Sequence, residues 1–215
     1  MKFLRMTKVP TYVLEENGIN YLYHITHKKN LKSILRFGLL SRNLCMEKGI
    51  RVEEIGDKEI VGKRGIKIIP GSNARLNDYV PLYFNPRNAM MYRVCEKFKA
   101  SRLVVLAFDI NVILIKGTIF TDGNAASEEA KFYYSKYELE KFDWGKINSK
   151  EWVFDWFIDA EKKRKMMAET LVKEKIPSKY LKKIICNCEE SAKEVKDLVK
   201  GKFEVEVSED MFFNK

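Results

Sequence analysis

The sequence predicts an α+β fold, and three observations support this prediction. The chain of 215 residues is long enough for one domain with a full hydrophobic core, so we expect residues 1–215 to form a single domain. Residues 103–110, LVVLAFDI, are apolar on both faces, as central strands of a core sheet are. Residues 189–199 carry the amphipathic pattern of a helix, and the sequence contains no internal repeat.

The first unit is a strand followed directly by a helix, within the stretch YLYHITHKKNLKSILRFGLL. Residues 21–25 favour a strand that delivers His24 and Thr26 to its end. Apolar residues then recur at helical spacing behind Asn30 as the candidate N-cap, and Gly38 fits the left-handed position after the last turn. An imidazole, a hydroxyl and an amide should therefore meet at one place. The alternative is that the histidine is only a satisfied or exposed side chain.

A connecting region and a second strand–helix pair come next. Residues 41–79 are basic and rich in glycine, which predicts a long loop without long regular elements. Such a loop either lies over a phosphate-bearing ligand or is a flexible insertion with solvated charges. Residues 79–84 favour a strand that begins at a sheet edge because of Pro81, and residues 89–98 favour a helix capped by Asn88.

The middle of the chain continues the strand signal and then becomes aromatic. Residues 112–115 are apolar and favour a second buried strand, and Ser127 is predicted to open a short helix. Residues 132–144, FYYSKYELEKFDW, are densely aromatic. We expect these rings to fill the core behind a loop, with a stacking platform for bases as the alternative.

The last third is predicted to hold a basic helix and the final strands. Residues 152–168 have a helical pattern with Trp152 and Trp156 on one side and a basic cluster at 161–165 on the other. That cluster faces either solvent or a nucleic-acid backbone. The remaining predicted elements are strands at 168–172, 181–186 and 203–207 and a turn at 176–180.

Charge and composition narrow the class of partner. Forty Lys and Arg face 30 Asp and Glu, and the net charge of +10 favours a polyanionic partner, although a solvated Lys- and Glu-rich surface is the alternative. No apolar run approaches the roughly 18 residues that a membrane span needs, and the N-terminus lacks the apolar core of a signal peptide. We therefore expect a cytoplasmic protein without a membrane partner. The four cysteines lack metal-ligand spacing, so we expect no metal.

Four ordered blocks carry a resemblance to a known family: YHITHKKNLKSILRFGLL at 23–40, DYVPLYFNPRNAMMYRV at 78–94, FTDGNAAS at 120–127 and RKMMAETLV at 164–172. Together they resemble the DarT family of DNA ADP-ribosyltransferase toxins over nearly the whole chain. The resemblance implies the split mixed β-sheet core of ADP-ribosyltransferases with flanking helices. This core binds NAD without a Rossmann motif, and the sequence accordingly contains no G-x-G-x-x-G.

The resemblance also implies the catalytic groups. Cleavage of the bond between nicotinamide and ribose passes through an oxocarbenium-like transition state, which a carboxylate stabilises, and Glu169 matches the catalytic glutamate of the family. Arg64 matches the family arginine that can pair with NAD phosphates or polarise the acceptor base, with Arg51 and Arg75 as competitors. Met167 stands where many members carry Gln, which leaves the choice of acceptor open.

The NAD site implied by the resemblance lies around the first strand. His24 matches the histidine that hydrogen-bonds the ribose on the adenosine side, and Thr26 and Asn30 are close enough to shape the same pocket. Tyr83 matches the aromatic position that can stack on nicotinamide. Phe84 alternates to the opposite face of its strand and is expected in the core.

The expected reaction is transfer of ADP-ribose from NAD to a base in single-stranded DNA, thymidine rather than guanosine. An unpaired strand is favoured because extruding a base from a duplex costs a few kcal/mol. Family resemblance also implies a macrodomain antitoxin as partner. Two alternatives stay open: an NAD-dependent RNA-directed transferase resembling 2′-phosphotransferases, and a non-enzymatic basic nucleic-acid-binding module. The candidate DNA contacts are Arg75, Arg87, Met90, Met91, Lys163 and Arg164.

Overall fold

The structure is a computed structural model that describes residues 11–154 and 157–213, and it confirms the predicted α+β fold. The strands are β1 (Tyr21–His27), β2 (Leu39–Leu40), β3 (Tyr79–Tyr83), β4 (Leu103–Asp109), β5 (Ile119–Thr121), β6 (Phe132–Tyr133), β7 (Val153–Phe154), β8 (Phe157–Ile158), β9 (Glu169–Lys173), β10 (Lys175–Ile176), β11 (Leu181–Cys186) and β12 (Glu204–Val207). The α-helices are α1 (Tyr12–Glu16), α2 (Leu31–Phe37), α3 (Arg42–Glu47), α4 (Lys58–Ile66), α5 (Ala89–Lys97), α6 (Trp144–Ile147), α7 (Ala160–Lys165) and α8 (Glu189–Val199).

One eight-stranded sheet forms the core, in the order β12-β11-β4-β1-β3-β9-β5-β6. Its neighbouring strands are antiparallel except β11 and β12, which are parallel. Residues 103–108 of β4 are fully buried in the middle of this sheet, as their apolar run predicted. The apolar side of α8, with Val195 and Val199, packs into the same core.

The sheet is split where β1 meets β3. Strand β1 pairs with β4 along its whole length, but it pairs with β3 only between Tyr23 and Tyr83. Strand β3 is fully paired with β9 on its other side, so the expectation that Pro81 marks the outer edge of the sheet is wrong. The prediction rested on the missing N–H of proline. That lack still has an effect here, because Pro81 cannot donate to the β1–β3 ladder and so weakens it.

The aromatic segment at 132–144 divides between the core and the surface. Phe142 and Trp144 are buried beside Phe84, whose ring centroid lies 5.2 Å from that of Trp144 in an edge-on arrangement. The prediction that Phe84 lies in the core is therefore confirmed. Two rings of the segment are more than half exposed, those of Tyr134 and Tyr137.

The connecting region at 41–79 is more regular than predicted. It contains α3, α4 and a 3-10 turn at Leu76–Asp78, and Gly62 and Gly65 lie inside α4. Asp57 caps that helix, since its side chain accepts a hydrogen bond from the Glu59 N–H. Glycine costs only about 1 kcal/mol in a helix interior, and tertiary contacts can offset this cost.

Three further predicted elements differ in type. The apolar residues 112–115 lie mostly in a 3-10 helix, Ile110–Leu114, because a short buried run does not distinguish strand from helix. Ser127 lies in a series of turns and opens no helix. Within the range predicted as one helix, β7 and β8 pair antiparallel and α7 follows, with Asp159 as its cap. Trp156 lies outside the described residues.

Gly38 allows α2 to turn tightly into β2. Its φ is +84°, although its ψ of 175° differs from that of the left-handed helical position predicted for it. A Cβ at this position would lie 2.6 Å from the carbonyl oxygen of Ile176 in β10. We expect Gly38→Ala to lower the free energy of unfolding by about 2–3 kcal/mol, from backbone strain plus this overlap.

Urea denaturation measures this loss, and Gly49→Ala is the matched control. Gly49 also has a positive φ, of +63°, but no atom lies within 4 Å of a Cβ built there. The control should lose only the strain, about 1 kcal/mol. Equal losses in the two variants would contradict the proposed overlap with Ile176.

Candidate active site

The carboxylate of Glu169 is fully buried at the start of β9 and is held by two donors. Its Oε1 atom accepts a hydrogen bond of 2.9 Å from the backbone N–H of Ala125. Arg64 Nη1 lies 3.1 Å from each carboxylate oxygen. A buried carboxylate is costly unless it is paired and hydrogen-bonded, and these donors meet that requirement. The carboxylate is therefore fixed in one orientation.

Arg64 reaches Glu169 from the C-terminal half of α4, and its side chain is 12% exposed. Its Nη2 atom is buried and has no hydrogen-bond partner among the residues that the structure describes. An unsatisfied buried donor costs about 1–3 kcal/mol, so this atom points to a place for a ligand oxygen. The competitors proposed for this position, Arg51 and Arg75, are exposed and do not line the cavity beside Arg64.

A cavity of about 650 Å³ opens beside the split in the sheet. Its size is within the range of small-molecule and cofactor sites. Glu169 does not line the cavity, but its partner Arg64 does. The structure brings together the residues that the sequence assigned to NAD binding: the cavity is lined by His24, Thr26, Asn30, Arg64 and Tyr83.

His24 faces the cavity as a neutral hydrogen-bond acceptor. Its Nδ1 atom lies 3.0 Å from the Pro81 carbonyl oxygen, which only accepts, so we assign the proton to Nδ1. Burial lowers the pKa of the imidazole, and the charge of Arg64 lowers it further, against the opposing effect of the Pro81 hydrogen bond. Nε2 therefore keeps a lone pair for a ligand hydroxyl.

The lowered pKa of His24 makes folding stability depend on pH. The unfolded chain binds a proton at this side chain below about pH 6.5, whereas the folded protein resists protonation down to its lower pKa. Because the unfolded state binds more protons in that window, stability is lost as the pH falls through it, by up to about 1.4 kcal/mol per pH unit. We expect His24→Gln to flatten this acid slope.

The measurement is urea denaturation across that window, with His27→Gln beside it. Burial also lowers the pKa of His27. This side chain does not line the cavity, and it caps the 3-10 turn Lys28–Asn30. Each variant should remove its own part of the slope. A His24→Gln protein with the slope of the unmodified protein would mean that His24 is not held neutral by folding.

The side-chain amide of Asn30 forms hydrogen bonds within the cavity wall. Its Nδ2 atom donates to Thr26 Oγ1 and to the Glu53 carbonyl oxygen, both at 3.0 Å, and its Oδ1 atom accepts from the Glu53 N–H at 2.8 Å. Asn30 therefore holds residues 50–57 against the end of β1. This explains why its side chain makes no capping hydrogen bond to α2, contrary to the predicted N-cap.

Tyr83 connects the two halves of the site. It pairs with Tyr23 across the split and with Glu169 across the β3–β9 ladder, and its side chain is buried at the cavity. Burial raises the pKa of the Tyr83 hydroxyl, and the Glu169 carboxylate raises it further. The ring therefore stays neutral and offers a flat face and a hydroxyl to a ligand.

The predicted DNA contacts lie in different environments. Met90 and Lys163 line the cavity. Met91 is fully buried in the core, so its assignment as a surface contact is wrong: the helical repeat of α5 turns it inward. Arg75 is exposed away from the cavity, where it pairs with Ile68 in an isolated β-bridge just before the 3-10 turn Leu76–Asp78.

The two remaining arginines are engaged within the protein. Arg87 Nη1 donates to the carbonyl oxygens of Asp210 and Phe212, at 2.8 and 2.7 Å, and its guanidinium lies 4.0 Å from the ring centroid of Phe213. Arg164 forms an ion pair with Asp122. Contact of either arginine with DNA stays a prediction.

Sequence reasoning missed the backbone donor that holds the Glu169 carboxylate. The Ala125 N–H belongs to FTDGNAAS, a block that had been noted for its resemblance but to which no role had been assigned. A backbone amide leaves no residue signature, and the adjacent Asp-Gly turn was the available signal.

Within the described ranges, no helix is long and apolar enough to cross a membrane, and no three side chains of metal-binding type come together.

Comparisons with known proteins identify the family of this chain. The family model described as "DarT: ssDNA thymidine ADP-ribosyltransferase, DarT" matches residues 23–213. A DNA ADP-ribosyl transferase–DNA ADP-ribosyl glycohydrolase fusion protein of Thermosipho africanus is 32% identical over 182 residues, which are 84% of this chain and 46% of the fusion protein. The chain thus spans about half the length of that relative.

Solved structures of Thermus sp. 2.9 DarT share the fold. Its complex with ADP-ribosylated ssDNA superposes with a TM-score of 0.80 at 26% identity, covering 91% of this chain and 97% of that chain. Its complex with NAD+ gives a TM-score of 0.75 at 25% identity, covering 91% and 98%. The predicted family resemblance is confirmed. Because the family match extends over most of its length, this chain belongs to the DarT family.

Proposed function

We propose that this protein transfers ADP-ribose from NAD to thymidine in single-stranded DNA. The observation that carries the proposal is the buried Glu169–Arg64 pair beside a cavity of about 650 Å³. The family description names this reaction, and Thermus sp. 2.9 DarT, of similar fold, has been solved with NAD+ and with ADP-ribosylated ssDNA.

The chemistry needs a group that stabilises positive charge. Nicotinamide is a pyridinium cation in NAD, so it takes the electron pair of its bond to ribose and leaves as a neutral ring. The positive charge then develops on the ribose, as it does in glycoside hydrolysis. A ring nitrogen of the base forms the new bond to the anomeric carbon and loses its proton. The products are nicotinamide, one proton and the ADP-ribosylated base.

Glu169 is the group that we assign to this charge. Its carboxylate is oriented by the Ala125 N–H and needs no reorganisation as the positive charge develops. It is fully buried behind Arg64, so a ribose hydroxyl reaches it only when the guanidinium moves aside. The partnerless Nη2 of Arg64 gives that movement a driving force, since a substrate oxygen would satisfy it.

The other cavity residues suit the remaining parts of NAD. The lone pair of neutral His24 can accept a hydrogen bond from a ribose hydroxyl. Tyr83, paired with Glu169 across two strands, can stack on the nicotinamide ring next to the bond that breaks. Asn30 and Thr26 hold the wall formed by residues 50–57.

The acceptor enters from the side of Lys163 and Met90. Both line the cavity, and Lys163 belongs to the basic helix α7 of a chain with a net charge of +10. A cationic rim attracts the phosphates of a nucleic acid without reading its sequence. A single strand fits best because its bases are already unstacked. Since single-stranded DNA and NAD occur together inside the cell, we place the reaction in the cytoplasm.

Mass spectrometry of oligonucleotides tests the proposal. The protein is incubated with NAD and single strands of DNA or RNA, some with thymidine as the only base that can be modified and some with guanosine. We expect a gain of one ADP-ribose on thymidine-containing DNA alone. Modification of RNA alone would favour an RNA-directed transferase, and NAD-independent binding without any adduct would favour a basic nucleic-acid-binding module.

We also propose a partner that reverses the modification. The Thermosipho africanus relative carries a DNA ADP-ribosyl glycohydrolase in the same chain by its name, and this chain matches about half of that protein. A separate glycohydrolase, a macrodomain antitoxin as the family resemblance implies, would serve the same purpose here. If the chain is a toxin, expression without such a partner should block DNA replication, and co-expression should relieve the block.

A further inference from the structure

The catalytic carboxylate depends on one loop, residues 121–127, which we call the carboxylate loop. It follows β5 and carries Ala125, whose N–H holds Glu169 Oε1 at 2.9 Å. Within the loop, Thr121 Oγ1 donates to the Gly123 carbonyl oxygen at 2.8 Å. A shift of this loop would therefore shift the one backbone donor that orients Glu169.

Arg164, at the C-terminal end of α7, holds this loop by two kinds of contact. Its Nη1 and Nη2 atoms lie 3.0 and 3.3 Å from the two oxygens of Asp122, with both side chains only 13% exposed. Its carbonyl oxygen accepts the Asn124 N–H at 3.1 Å. A forked, partly buried pair of this kind restricts orientation as well as distance.

Gly123 shows how closely α7 and the loop approach. A Cβ built on Gly123 would lie 2.9 Å from the Arg164 carbonyl oxygen and would also overlap the guanidinium. Only glycine leaves room for the arginine to lie across the loop backbone. Arg164 of α7 therefore contacts the carboxylate loop on both sides of Gly123, at Asp122 and at Asn124. The second of these contacts is next to Ala125.

We propose that Asp122 and Arg164 form a positioning pair that orients Glu169 through the Ala125 N–H. This inference rests on the proposed function, and it gives Arg164 a role inside the protein in place of the DNA contact predicted from sequence. Neither residue lines the cavity, so we assign the pair no direct contact with NAD. It acts by keeping a hydrogen bond to the catalytic carboxylate at the length and angle that the reaction needs.

The kinetic test compares Asp122→Asn, Arg164→Gln and the double variant, with Lys162→Gln as a charge-matched control on α7. The side-chain ammonium of Lys162 lies 3.9 Å from Asp159, a long contact. We expect each single variant to lower kcat by about 10- to 100-fold with the KM for NAD changed less than about twofold. The kcat of the double variant should be no lower than that of the less active single variant, because the two residues act through each other.

An activity-independent readout separates this inference from the proposed function. Amide hydrogen exchange of Ala125 should speed up in Asp122→Asn and Arg164→Gln, should stay slow in Lys162→Gln, and should be partly restored in Arg164→Lys. If the unmodified protein transfers no ADP-ribose, the proposed function fails and the Ala125 exchange still decides the positioning role. Unchanged Ala125 exchange, or a raised KM for DNA with kcat intact, would overturn the positioning pair.

Discussion

Replacing Glu169 by Gln should lower kcat for ADP-ribose transfer by about 100- to 1000-fold, the usual cost of losing one preorganised electrostatic group. Glutamine has the same shape and can still accept from the Ala125 N–H. It lacks the negative charge that opposes the positive charge on the ribose. Its amide nitrogen would also face Arg64 Nη1, a donor against a donor.

Single-turnover transfer to a thymidine-containing strand measures this effect. The exposed Glu190, at the start of α8, supplies the control Glu190→Gln, which should keep full activity. Removing one member of a buried ion pair costs about 3–5 kcal/mol, so the thermal unfolding of Glu169→Gln must be compared with that of the unmodified protein. A folded Glu169→Gln protein with full activity would show that another group carries the charge stabilisation.

Sequence patterns located the main parts of the site because those parts carry side-chain signals. The alternation over residues 168–172 predicted a strand with Glu169 at its start, and the β-favouring residues around His24 predicted β1. Long buried strands and a strongly amphipathic helix were similarly clear: residues 181–186 and α8 have the predicted bounds. Each of these segments repeats one pattern over several residues, so local and tertiary preferences agree.

The parts that were missed depend on contacts between distant segments. Nothing local to Pro81 indicates that β3 would lie inside the sheet, paired with β1 only at Tyr83. The amide of Asn30 was expected to cap α2, but a tertiary contact with Glu53 competes for it. Arg164 was predicted to contact DNA, but in the structure its Nη1 atom lies 3.0 Å from Asp122. Charged residues in a sequence do not show which of them are already paired.

Arg64→Lys should separate the two roles of the arginine at the cavity. Lysine keeps a positive charge for Glu169, so the protein should fold with a stability loss of about 1.5–3 kcal/mol at most, the contribution of one hydrogen bond to a charged group. It lacks the second guanidinium nitrogen, and Nη2 is the atom for which residues 11–154 and 157–213 supply no hydrogen-bond partner. If that atom binds substrate, transfer should fall by about 100-fold or more even though the charge is retained.

Thermal unfolding with and without NAD, followed by single-turnover transfer, distinguishes loss of binding from loss of chemistry. A smaller NAD-induced rise in melting temperature would place Nη2 on NAD, because a ligand stabilises only in proportion to its binding. An unchanged rise with slow transfer would place it on the acceptor base. Arg102 does not line the cavity, so Arg102→Lys is the control for an arginine-to-lysine substitution as such. Full activity in Arg64→Lys would reduce the role of Arg64 to that of a counter-ion for Glu169.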